Sequence, residues 1–273
     1  MAAESSIRLR VISLGAGVQS TTMALMAAHG EIGPMPDCAI FADTQAEPRA
    51  VYDHLRWLMS GNVLPFPVHI VSRGSLAEQT RRSAAGDAPN YVPWYSETAE
   101  SKGMLWRSCT DKFKLTPLRE KMREMVGLAP GEQSKTPSVE CWIGISTDEA
   151  SRIKPSQNRW CEHRWPLIEA RMSRWDCLRW LERNGYPPPP KSACTFCPYR
   201  SDEAWRDLRD NHPEDWADAV AMDAVVRAGV KGSTGTLYAH RDFVALAEAD
   251  LSTAEDRGQL NLFNNECEGM CGV

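Results

Sequence analysis

The chain has 273 residues, 42% of them hydrophobic and 25% charged, with a formal net charge of −5 at pH 7. That is the composition of a soluble globular protein, and the length suits one large α/β domain or one domain with a small appendage. No apolar run approaches the roughly 20 residues a membrane helix needs. The start, MAAESSIRLR, lacks a signal-peptide apolar core, so the cytoplasm is the expected compartment. The acidic balance excludes a global pull towards nucleic acid, although Arg152, Lys154, Arg159, Arg164, Arg171 and Arg174 form a local basic set. Nine cysteines, an odd count, do not suit a disulfide framework in such a chain. Metal, cluster or redox use is the expectation for the clustered ones.

Taken in chain order, the apolar run Leu9-Arg10-Val11-Ile12 leads into SLGAGVQSTT, Ser13 to Thr22, and then into a helical pattern from Thr22 to His29. A strand, a small-residue turn and a helix in this order cradle phosphate with backbone N–H groups and a helix N-terminus. Gly15 and Gly17 allow close approach, and Ser13, Ser20, Thr21 and Thr22 offer hydroxyls. The Walker form requires Gly-Lys-Ser/Thr, and no lysine occurs before Lys102. The dinucleotide fingerprint is nearly matched, with Ser20 at its third glycine.

A second strand is expected at Cys38–Ala42, ending in Asp43-Thr44, with a helix from Glu47-Pro48 through Leu58 and a third strand at Val68–Val71. This β-α-β-α-β order implies a parallel sheet with right-handed crossovers. Ligands on such sheets bind at the carboxyl ends of the strands, where both the loop and Asp43-Thr44 fall. Residues 73–110 read as an irregular lid or mobile loop. A helix from Lys112 to Val126 and a strand from Val139 to Ile145 follow, the latter ending in Ser146-Thr-Asp-Glu149 before Arg152 and Lys154. A helix from Ser173 to Arg183 precedes the stiff Tyr186–Pro190 connector. Residues 1–186 are therefore expected to form a nucleotide-binding domain and 191–273 a helical region with a cysteine-bearing tail.

Cys194-Thr-Phe-Cys197 directs two thiolates at one centre. Its partners are sought in Cys109 and in Cys267 or Cys271, whereas Cys38, Cys141 and Cys177 read as core residues. Three or four dispersed thiolates suit either Zn²⁺ or a [4Fe–4S] cluster, and spacing alone does not separate them.

The serine-flanked glycine loop resembles the PP-loop of the ATP pyrophosphatase superfamily. FADTQAEP (Phe41 to Pro48), CTDKFKLTPL (Cys109 to Leu118) and CTFC, in that order, resemble the phosphoadenosine phosphosulfate reductase group within it. The resemblance implies a PP-loop (adenine nucleotide alpha hydrolase-like) α/β fold, a parallel sheet with helices on both faces, plus a mostly helical C-terminal part. It implies ATP and Mg²⁺ held by Ser13, Gly15, Gly17, Ser20, Thr21, Asp43 and Thr44. Lys112, Lys114 and Arg152 are the expected cations, Lys114 and Arg152 as catalytic groups. Thr110 stands where cluster-bearing reductases have a second adjacent cysteine, so the pattern is more similar to that of cluster-using sulfurtransferases. There, three cysteines hold the cluster and leave one iron open for sulfide. Cys109, Cys194 and Cys197 are the implied ligands. Glu266-Cys267 resembles the reductases' Glu-Cys-Gly tail, giving Cys267 as a fourth ligand and Cys271 as a catalytic thiol.

The activity so implied is ATP-dependent sulfur transfer to a nucleic acid or nucleotide, with a sulfur donor protein as partner and no membrane. A sulfonucleotide (PAPS/APS) reductase and a nucleotide-binding module with structural zinc are the alternatives.

Overall fold

Strand β1 (Leu9–Leu14) alternates its side chains between two apolar layers, and this alternation organises the first of two compact units in the computed structural model. The structure describes residues 6–134, 136–252 and 256. The first unit comprises Met1–Ala42, Ala50–Val71 and Leu115–Ser192. After β1 come α1 (Val18–Ala28), β2 (Cys38–Asp43), α2 (Arg49–Leu58) and β3 (Val68–Ser72). Five strands form one sheet in the order β3-β2-β1-β6-β7, where β6 is Val139–Ile143 and β7 is Cys161–Arg164. The neighbours β2, β6 and β7 extend it in parallel register, with Val11 opposite both Cys38 and Cys141.

Both faces of the sheet are covered. Ile12, Leu14, Ala39, Phe41 and Trp142 pack with Met23 of α1, Leu55 of α2 and Trp180 of α6 (Arg174–Arg183). The alternate residues Leu9, Val11, Ile40, Cys141 and Ile143 pack with Leu118 and Met122 of α4 (Thr116–Met125). Period-two alternation sends successive side chains to opposite faces, so each strand serves two helix layers, as expected of an α/β protein. A turn of α-helix, α5 (Pro166–Glu169), links β7 to α6.

The second unit draws on Asp43–Arg49, Ser72–Lys114 and Ala193–Val273. It contains α3 (Leu76–Ala84), a three-stranded antiparallel sheet ordered β5-β4-β8 (Lys102–Met104, Tyr95–Glu97, Thr236–Tyr238), α7 (Asp202–Asn211) and α8 (Pro213–Val226). Trp94, Phe196, Trp205, Leu208, Met222 and Leu237 form its core. Gly235 enters β8 at φ +82°, where a Cβ would lie 2.2 Å from the Glu97 carbonyl oxygen, so only glycine fits. The Tyr186–Pro190 connector ends just before Ser192, where the chain leaves the first unit for the last time.

Three local expectations are corrected. Residues 73–110 are not an irregular loop, since they hold α3, β4 and β5. The buried side of α3 is Leu76, Thr80 and Ser83, a helical stripe in which two of three positions are polar, so no apolar period announces it. Helix α1 begins at Val18 rather than Thr22, because small and hydroxyl residues pack its first turn against the sheet. The expected helix from Lys112 opens as a π-helical turn, Thr110–Leu115, before α4. Among the described residues, no helix is long and apolar enough to cross a membrane.

Candidate functional site

In the first unit, the strand order reverses between β1 and β6, the position at which an open α/β sheet binds ligands. The turn Gly15-Ala16-Gly17 leaves β1 there. Ala16 sits at φ +55°, which costs a non-glycine residue roughly 1 kcal/mol. Gly17 is the N-cap of α1, and no side chain caps that end. The first-turn N–H groups and the positive end of the helix are thus available to an anion.

The expected hydroxyl donors are engaged within the unit. Ser20 Oγ accepts from the Gly15 N–H at 3.1 Å and donates to the Gly17 carbonyl at 3.3 Å. Thr21 Oγ1 lies 3.0 Å from His54 Nε2, and Thr22 Oγ1 donates to the Val18 carbonyl. Ser13 stands within β1, half-buried. What the loop offers an anion is therefore mainly backbone.

Gly144, just beyond β6, makes this approach of elements possible. A Cβ there would come within 2.9 Å of the Ser20 nitrogen and 3.0 Å of its Cα. The segment after it closes on α1 through Gln19, whose amide donates to Ser146 Oγ at 3.4 Å and to Glu149 Oε2 at 3.2 Å. Arg174 donates to Gln19 Oε1 at 3.3 Å, and Arg152 to Glu149 Oε1 at 2.6 Å. Burial pushes the Glu149 carboxyl up, against the opposing charge of Arg152. Arg152 is thus held beside the loop by a buried acid. Gln19, His54 and Gly144 were not singled out from sequence, and Glu149 only as the end of the polar run that follows the Val139–Ile145 strand.

Asp43 ends β2, and its carboxylate accepts from the Gln45 N–H at 2.7 Å. Gln45 occupies φ +52°, and its amide donates to Ser72 Oγ, which in turn donates to the Asp43 carbonyl. Thr44, expected to face the nucleotide, is buried with its hydroxyl 3.4 Å from Cys194 Sγ.

That contact belongs to a pocket in the second unit that opens to solvent. Cys109, Cys194 and Cys197 all line it, together with Thr44, Arg107, Lys114 and Tyr199. The C-x-x-C turn is pinned from several sides. Cys197 N–H donates to the Cys194 carbonyl at 3.0 Å, and Thr195 N–H to that of Ala46 at 2.8 Å. Arg200 donates to the carbonyls of Ala193 and Cys194 at 2.8 and 3.2 Å. Cys109 arrives immediately before the π-helical turn, its N–H donating to the Tyr91 carbonyl at 2.9 Å. So the three cysteines expected to converge do line one pocket, although among the described residues no three His, Cys, Asp or Glu side chains close on a common ion position.

Lys114 pairs at 3.0 Å with Glu47 Oε1, and the Glu47 side chain is 1% exposed. Its second oxygen, Oε2, has no hydrogen-bond partner among the described residues. Burial first, and the Glu47 charge second, push the Cys194 thiol up to about 12. Lys112 instead faces Asp111 at 3.4 Å near the surface. Arg107, missed in the sequence, stacks over Tyr199 at 5.2 Å and donates to Thr110 Oγ1 at 2.6 Å.

Cys38, Cys141 and Cys177 are buried in the core, and Cys161 joins Cys141 there. Burial raises Cys38 to about 11 and Cys177 to about 12, as suits inert thiols. Cys267 and Cys271 lie outside the described residues.

No protein-family model matches the chain, and no curated protein does. Among solved structures, it is similar to a phosphoadenylyl-sulfate (PAPS) reductase from Candida auris, in a phosphate complex. The TM-score is 0.40 at 16% identity, over 66% of this chain and 74% of that one. It is also similar to the U34-tRNA thiolase NcsA from Methanococcus maripaludis with its [4Fe–4S] cluster, at a TM-score of 0.37 and 14% identity, over 86% and 78% of the two chains.

Proposed function

We propose that the protein is an ATP-dependent sulfur-transfer enzyme of the thiolation type, acting on a nucleic acid or nucleotide. The observation that carries this reading is the pocket itself. Cys109, Cys194 and Cys197, drawn from two distant stretches of chain, line it beside a lysine anchored by a buried carboxylate.

In this reading the N-terminus of α1 takes the polyphosphate of ATP, with Arg152 and Mg²⁺ offsetting charge as pyrophosphate leaves. An acceptor oxygen attacks the α-phosphorus and pyrophosphate departs with its electron pair. Sulfide then displaces AMP, so one oxygen of the acceptor is exchanged for sulfur. Asp43 serves the Mg²⁺ or nucleotide. Thr44 serves the cysteine pocket.

The donor set suits a thiolate-held centre, because soft thiolates select zinc or iron–sulfur clusters. Cys109, Cys194 and Cys197 would hold a [4Fe–4S] cluster, with Cys267 as a fourth ligand and Cys271 as a free thiol. Such a cluster would supply a site for sulfide only while Cys267 is off the iron that the other three thiolates leave open. Lys114, held by Glu47, keeps a positive charge beside the thiolates, and Arg107 adds a second at the pocket wall. A donor protein delivers the sulfur.

Anaerobic purification followed by a visible spectrum, iron, sulfide and zinc analysis, and product assay tests the reading. Iron with sulfide, and AMP with pyrophosphate from ATP, is the expected outcome. Sulfite released from PAPS or APS would instead identify a sulfonucleotide reductase. Zinc with nucleotide binding but no turnover would identify a binding module.

A further inference from the structure

Residues 151–192 carry nine Lys and Arg against four Asp and Glu, a balance of +5 within a chain of −5, so the remainder carries −10. Much of this charge lies on and just ahead of α6. Cys177, Trp180 and Leu181 turn into the core of the first unit. The other side of the helix presents Trp175, Arg179 and Arg183 at i, i+4 and i+8, one line along the surface. All three are exposed, Trp175 at 50%, and exposed Arg171 precedes the helix. The acids nearby are Asp176, bound to Ser173 in the capping box, and Glu182. Asp148 accepts the Arg174 N–H at the start of the helix, and Arg174 itself reaches Gln19 on α1. The basic line is thereby continuous with the loop region of the same unit.

We propose that this face of α6 is a docking surface for RNA, with an unpaired base stacked on Trp175 and phosphates taken by Arg171, Arg179 and Arg183. The proposal rests on the nucleic-acid acceptor in the reading above. An exposed indole beside guanidinium groups is the chemistry that binds single-stranded nucleic acid, where stacking tolerates any base. Folded RNA offers such bases in its loops beside a continuous phosphate backbone. A membrane surface would call for a broad apolar face, and here Trp175 stands among arginines. An acidic peptide would satisfy the arginines and leave the indole without a partner.

Fluorescence anisotropy on the full-length protein, over a range of KCl, tests this. The probes are a labelled RNA hairpin with an open loop, a fully paired RNA duplex, a DNA hairpin of the same sequence and an acidic peptide. Replacing Arg171, Arg179 and Arg183 together by Glu is expected to weaken hairpin binding at least about tenfold and to flatten the log–log salt slope by about two. Trp175→Ala is expected to weaken the RNA hairpin about tenfold and the duplex far less. Both variants alter exposed positions, and an unchanged thermal unfolding midpoint confirms that they fold.

Unchanged hairpin affinity in the triple variant would overturn the proposal, as would preferential binding of the DNA hairpin or of the peptide. ATP titration in parallel separates the two claims. RNA binding lost from α6 variants in a protein that does not bind ATP would sink the sulfur-transfer reading alone. ATP cleaved to AMP by a protein whose α6 variants bind RNA normally would sink the surface alone.

Discussion

His54 lies buried behind α1, its Nε2 3.0 Å from Thr21 Oγ1, and burial lowers it from 6.5 to about 4. A depressed histidine binds its proton less readily folded than unfolded, so its contribution to stability is complete above about pH 6.5. That contribution is lost as pH falls towards about 4, and amounts to on the order of 3 kcal/mol. Denaturant unfolding of the wild type between pH 7 and 4 is expected to show this loss, and His54→Gln a flatter dependence. Equal slopes would mean that His54 is not buried neutral. The Glu47–Lys114 pair makes a second residue-scale case. Removing the cation leaves a buried carboxylate uncompensated, so Lys114→Met is expected to cost about 3 kcal/mol. The double variant Glu47→Gln, Lys114→Met is expected to be more stable than Lys114→Met alone, as a double-mutant cycle would read. Neither residue's burial was legible in the sequence. Glu47 read as a helix opener and His54 not at all, because burial of a single polar side chain leaves no periodic mark.

At the scale of elements, the strand–loop–helix from Leu9 to Ala28 was legible because three signals agree: a β-rich run, a glycine turn and a helical apolar pattern. The helix start was not. Val18 to Ser20 fit their helical turn because Gly144, far along the chain, leaves room for the Ser20 backbone. Gly144→Ala puts a Cβ against two backbone atoms that cannot rotate away. It is expected to cost roughly 1–3 kcal/mol and to displace the N-terminus of α1, with weakened ATP binding. Unaltered stability and ATP affinity would show that this contact is dispensable. Helix α3 escaped notice for the opposite reason, since its buried stripe is mostly polar.

At the scale of the whole chain, the α/β class followed from the order of elements, whereas the composition of the two units did not. Each unit is assembled from three separated segments, and only long-range packing decides which segments join. Trp94, Leu76 and Phe113 share a core with Trp205, Met222 and Leu237. A chain ending at Pro190 would expose that core, so we expect residues 1–190 alone to aggregate rather than fold. A soluble truncated chain with cooperative unfolding would refute this. The cysteine pocket depends on the same interleaving; the motif order, Cys109 before Cys194-Thr-Phe-Cys197, pointed to its three cysteines, but nothing pointed to Arg107 and Tyr199 in its wall.

The central claim is that the N-terminus of α1 is a nucleotide phosphate site, and calorimetric titration of ATP into the wild type and Gly17→Ala tests it. A Cβ at Gly17 would meet only Ser192 Cβ, at an ordinary 3.6 Å, so the variant is expected to fold, with a loss of about 1 kcal/mol or less at the N-cap. Any loss of affinity then reports the approach of phosphate to the backbone. The expected result is ATP binding to the wild type, weakened at least about tenfold in Gly17→Ala. Equal affinity in the two proteins, or no binding to either, would contradict the claim.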